Sequence, residues 1–181
     1  MNRLIRIADC APAPWRNGGG TTREIAVFPP DAGMDDFDWR LSMARVEEPG
    51  PFSAFDGIDR LLTVIEGKLR LSGAGIDVTL DGYSAPFPFD GGVLIAGEPL
   101  AGPVVDLNAM SRRGRCVAEM HRLATGAAVA GGDATFLLAL EPQRIGEADL
   151  GRFDLLKVAA PATTGGAALL VRFTMAGSTR R

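Results

Sequence analysis

Between Trp39 and Val46 the chain reads WRLSMARV, and its apolar and polar positions alternate. Trp39, Leu41 and Met43 fall on one face; Arg40, Ser42 and Ala44 fall on the other. A period of two is the signature of a β-strand with one apolar side. The same reading predicts strands over 22–28, 60–66, 68–71, 76–80, 93–96, 104–108, 114–123, 134–140, 154–158 and 167–174. Glu66-Gly67 is placed to turn one strand into the next. Helical periodicity is nearly absent. Only 145–155, with Ile145, Ala148, Leu150 and Phe153, spaces its apolar residues as a short helix or turn would. Short apolar runs punctuated by 23 glycines and 12 prolines predict a barrel or sandwich rather than a helical or α/β protein. Leu61–Leu71 (LLTVIEGKLRL) and Phe136–Ile145 (FLLALEPQRI) share the order apolar strand, glutamate, turn, basic-apolar strand, which hints at an internal repeat.

A chain of 181 residues is long enough for one large β domain or two fused small barrels. We place the boundary between an N-terminal half, 1–113, and a C-terminal half, 114–181. The net charge of −3 lacks the basic footprint of a nucleic-acid binder, and no polybasic segment faces anionic lipid. No apolar run reaches membrane-spanning length. Arg3 and Arg6 interrupt the opening MNRLIRIADC, so a signal peptide is not expected. Cys10 and Cys116 are far apart and read as free thiols. The expected compartment is the cytoplasm.

Three segments could carry chemistry. Trp15–Glu24 (WRNGGGTTRE) contains three consecutive glycines. Such a loop can bring its backbone close to a partner and form a nest of N–H groups for an anion, or serve as a tight turn into a strand. It matches neither the P-loop nor the dinucleotide fingerprint. Thr22 and Glu24 share one face of the following strand. Asp59-Arg60 opens another strand, and a buried arginine there could grip an anion as a fork. In Asp106–Arg113 (DLNAMSRR), Asp106, Asn108 and Met110 alternate onto one face, and Asn108 offers both donors and an acceptor. His121 is the sole histidine, so a His-rich metal site cannot be assembled, and the cysteines lack CxxC spacing. No metal or other cofactor is expected. A GxSxG elbow is absent too.

These segments resemble the HutD/Ves family. The resemblance is carried by WRNGGGTTREI (Trp15–Ile25), FDWRLSMARVEEPGPFSAFDGIDRLLTVIEG (Phe37–Gly67), PFPFDG (Pro86–Gly91) and GPVVDLNAMSRRG (Gly102–Gly114), which recur in order over 15–114. It implies a cupin-like double-stranded β-helix, arranged as a bicupin of two fused barrels. It also implies a link to histidine utilisation for HutD-type members, or to stress for Ves-type members. On this resemblance the protein binds a formylated or formiminated glutamate without transforming it. The candidate pocket residues are Trp15, Asn17, Gly18, Gly19, Thr22, Glu24, Arg40, Arg60 and Asn108, with no catalytic residue assigned. Two other functions stay open at this point. One is a metal-independent isomerase or hydrolase with Glu24 or Asp106 as general base. The other is an interaction scaffold that dimerises through an edge strand.

Overall fold

The computed structural model describes residues 1–177. Strands dominate, and the one helical element is a single 3-10 turn at Ile7–Asp9 among these residues. The chain divides into two compact units. One is Ala11–Val117. The other joins Met1–Cys10 to the chain from Ala118 onward. The first ten residues thus belong with the C-terminal unit, which a reading of halves along the sequence does not anticipate. A three-residue strand, Arg3–Ile5, pairs antiparallel with Leu155–Lys157. Arg6 Nη1 and the Ile7 amide donate to the two oxygens of Asp154, at 2.6 and 3.0 Å, and fix the contact.

The Ala11–Val117 unit holds a six-stranded antiparallel sheet in the order Pro12–Pro14, Gly20–Phe28, Trp39–Val46, Val104–Arg112, Ile58–Glu66, Phe87–Asp90. A four-stranded sheet accompanies it: Gly50–Pro51, Ala96–Pro99, Lys68–Gly73, Ile76–Asp81. Their shared core is aliphatic and aromatic, including Val46, Phe52, Leu62, Leu69, Leu71, Phe89 and Val104. The second unit is built on a five-stranded sheet and a separate core around Leu137, Ala139, Ile145, Leu150, Leu156 and Val158.

Two expectations need correction. The 145–155 segment is not helical: Gln143–Ile145 and Ala148–Leu150 form a hairpin, turned at Gly146 with φ +60. A glycine at positive φ makes that tight reversal without the steric cost a side chain would bring. Its apolar spacing fits a helix only because the turn shifts the phase of two short strands. The strand expected over 93–96 lies later, at Ala96–Pro99. Among the described residues no helix is long and apolar enough to cross a membrane.

Candidate functional site

The central strands of the six-stranded sheet are in register so that polar side chains from several of them share a face. Thr22 pairs with Ala44, Ala44 with Asp106, and Asp106 with Val64. One step along, Glu24 pairs with Ser42, Ser42 with Asn108, and Asn108 with Leu62. Next, Arg40 pairs with Met110 and Met110 with Arg60. Because side chains alternate across a strand, these paired positions project together. Two bulges set the phase. The register shifts between Glu24 and Ala26, and again between Val105 and Asp106. The polar face of Trp39–Val46 therefore does not look into open water. It is a wall.

That wall bounds an open cavity of about 710 Å³. Trp15, Arg16 and Asn17 form part of its rim. Thr22, Arg40, Ser42, Arg60, Asp106, Asn108 and Met110 line it from the strands; Met34, Phe52, Ser53 and Phe55 contribute from connecting segments. Of the nine candidate residues, Trp15, Asn17, Thr22, Arg40, Arg60 and Asn108 come together on this one cavity. Gly18, Gly19 and Glu24 are not among its lining residues. Gly18 and Gly19 shape the loop instead. The Gly18 amide donates to the Trp15 carbonyl at 3.0 Å, and the Gly19 amide to Asn17 Oδ1 at 3.0 Å. The Gly18 and Gly19 amides are thus engaged inside the loop. Gly18 has φ +73, and a Cβ on Gly20 would collide with the Arg45 carbonyl. Trp15 Nε1 donates to Thr22 Oγ1 at 2.8 Å and ties the loop to the sheet. Glu24, half exposed, accepts from Arg40 Nε at 2.8 Å.

Arg60 is the buried cation, 7% exposed. Its guanidinium sits over three rings, with centroids 4.9 Å away for Phe89, 5.5 Å for Phe52 and 5.9 Å for Phe55. Aromatic faces attract a cation and here exclude water from it. Nε donates to Asn108 Oδ1 at 3.1 Å, and Nη1 to the Ser53 carbonyl at 3.3 Å. Asn108 Nδ2 in turn donates to Asp106 Oδ1 at 3.3 Å. Asp106 is fully buried, and its Oδ2 has no hydrogen-bond partner among the described residues. Burial lifts the Asp106 carboxyl to about 7, against the opposing pull of Arg60 and the Asn108 bond. Burial also lowers Arg60 to about 10, with Asp106 opposing the fall and Arg40 adding to it.

Asp106, offered by the sequence as a possible general base, is not among the candidate pocket residues, yet it lines the cavity. Its alternation with Asn108 and Met110 was the available signal. Ser42 carries the same mark, alternating with Arg40 and Ala44 along Trp39–Val46; Ser53 carries none. Asp59, the neighbour of Arg60, turns outward and pairs with Arg113 at 2.6 Å. Arg113 also reaches Asp90 at 3.1 Å, which pins the Phe87–Asp90 edge from outside.

The fold and the cavity define an all-β chain with a largely apolar pocket that carries a few buried polar and charged side chains. The HutD family model matches residues 7–174, and the chain belongs to that family. Protein Ves of Citrobacter koseri is 40% identical over 109 residues, covering 59% of this chain and 56% of that protein. A Pseudomonas putida protein of 21.2 kDa, described as lying in the hutC 3′ region, is 38% identical over 113 residues, covering 59% of this chain and 56% of its own length. The chain thus spans about half the length of the curated relatives it matches. Over nearly the full chain, the structure of HutD from Pseudomonas fluorescens SBW25 superposes with a TM-score of 0.87 at 27% identity, covering 98% of this chain and 100% of that one.

Proposed function

We propose that the chain binds a small acidic metabolite in the Ala11–Val117 cavity without transforming it, and that this binding moderates histidine utilisation or a stress response. The ligand class is an N-formyl- or N-formiminoglutamate. The observation that carries the reading is Arg60: a buried guanidinium on the cavity, with no carboxylate within 4 Å among the described residues and with Nη2 left as a donor for a ligand. A carboxylate placed there gains charge-assisted bonds away from bulk water. Asn17 sits at the rim with amide groups able to read a formyl or formimino group. The occurrence of a relative in the hutC 3′ region supports the histidine setting. Within this reading the chain is a bicupin, each compact unit being one cupin-like half. Isothermal titration with N-formylglutamate, N-formiminoglutamate and urocanate tests the ligand class. Heat is expected with at least one of the first two; silence with all three overturns it.

One observation favours a second reading, a metal-independent enzyme. A carboxyl lifted to about 7 beside a cavity is in the range suited to a general base. NMR of the same compounds incubated with the protein separates the two. Product formed by the wild type and lost in Asp106→Asn would establish the enzyme.

A further inference from the structure

Asp106 and an incoming anion have the same claim on one cation. Arg40 already answers Glu24, at 2.8 Å. Among the described residues Arg60 has no such partner, and the carboxylate that acts on it most strongly is Asp106, through the Asn108 amide between them. We propose that Asp106 is the resident counter-ion of Arg60, and that an anionic ligand held by Arg60 replaces it electrically, so that anion binding drives a proton onto Asp106 wherever the empty site holds it ionised. This rests on the reading of Arg60 as the anion grip. The proton comes from solvent and goes to Oδ2, since Oδ1 already accepts from Asn108.

The surroundings leave few other places for the charge to be settled. On the strands flanking Asp106, its direct neighbours are Ala44 and Val64, neither of which titrates. The charged groups facing the cavity are Arg60 from Ile58–Glu66, Arg40 from Trp39–Val46 with Glu24 paired to it, and Arg16 at the rim. Among the described residues, Asp106 is the one carboxyl that lines the cavity. A ligand that added a second negative charge beside an ionised, fully buried Asp106 would leave two anions around one guanidinium in a place of low dielectric. Neutralising Asp106 removes that repulsion. With the empty-site carboxyl near 7, the linkage has a definite sign. The bound form holds its proton to higher pH than the empty form. Affinity is therefore greatest below about 7 and falls as pH rises, by up to about tenfold per pH unit.

The test is calorimetry of the full chain with N-formylglutamate at about pH 6 and about pH 8, each in two buffers of different ionisation heat, for the wild type and Asp106→Asn. The asparagine stands for the protonated carboxyl and cannot titrate. The expected result is net uptake of a proton by the wild type at the higher pH and none by the variant. The variant should also bind about tenfold more tightly than the wild type at that pH. Infrared difference spectra of the wild type provide a check that needs no variant. Adding ligand at about pH 8 should raise a protonated-carboxyl band. Wild-type binding at about pH 8 with no proton uptake or with proton release, or the same pH profile in both proteins, overturns the inference and leaves the binding function standing. No binding to the wild type at either pH overturns both.

Discussion

A guanidinium under three aromatic rings, a carboxyl with one unmet oxygen and an amide joining them form a small circuit with a definite cost. Taking charges out of water is expensive, and removing one of two opposite buried charges leaves the other uncompensated. Arg60→Met leaves the buried Asp106 without its cation and should therefore lower the melting temperature, and it should weaken binding of an acidic ligand by roughly 10- to 100-fold, the loss of one or two charge-assisted bonds. A melt and a titration on the same preparation check both halves. Asp106 gives a pH signature of its own. Its folded value, about 7, lies above the usual carboxylate value of 3.8, so the folded protein holds the proton more firmly than the unfolded chain. Stability from this group is fully present below about pH 4 and is lost as pH rises through about 7. In urea, the midpoint of Asp106→Asn should accordingly gain on that of wild type between those values and hold a constant lead above them. A lead that shrinks over that interval would contradict the assignment. The Arg40–Glu24 pair, with Glu24 half exposed and Arg40 largely buried, is a different case. Glu24→Gln is expected to change stability by less than about 1 kcal/mol, measurable by the same urea series.

At the scale of the strand, the placing of these side chains depends on register. Gly20–Phe28 would send Thr22, Glu24 and Ala26 to one side if it were regular. The bulge at Ile25 reverses the phase, so that Val27, and not Ala26, pairs with Arg40. A strand's face can be read from alternation, but a bulge is invisible until the partner strand is known. Thr22 and Glu24 were therefore legible as neighbours, while the later half of the strand was not. The glycine run shows the same limit. Its conformational freedom is written in the sequence; its use is not. Gly20 admits the Arg45 backbone, and its carbonyl accepts from the Trp15 amide at 2.9 Å. Gly20→Ala should cost about 1–3 kcal/mol in chemical denaturation, because backbone rather than a movable side chain must give way. Weaker ligand binding should accompany it, since Trp15 is on the cavity rim. The Phe87–Asp90 strand was not anticipated because Pro88 breaks the pattern. An edge strand tolerates a proline that a central one does not.

For the molecule as a whole, every residue named in the site lies within Ala11–Val117. Hydrogen exchange with saturating N-formylglutamate should slow amides in the strands Gly20–Phe28, Trp39–Val46, Ile58–Glu66 and Val104–Arg112, and leave Thr135–Ala139 and Ala168–Met175 near their free rates. Equal protection in both sets would place the ligand elsewhere. The sequence by itself determined the all-β character, the short strands and the family. These follow from local alternation, from turn residues and from motifs contiguous in the chain. It also named six of the residues that share the cavity. The tertiary structure alone decided that Arg3–Ile5 joins a sheet more than a hundred residues away, that 143–150 is a hairpin, and that Asp106 is buried with an unmet oxygen beside Arg60. The reason is physical. Alternation says which side chains share a face. Whether that face meets water, a core or a cavity depends on strands brought together from distant parts of the chain, and the charge state of a buried carboxyl depends on all of them at once.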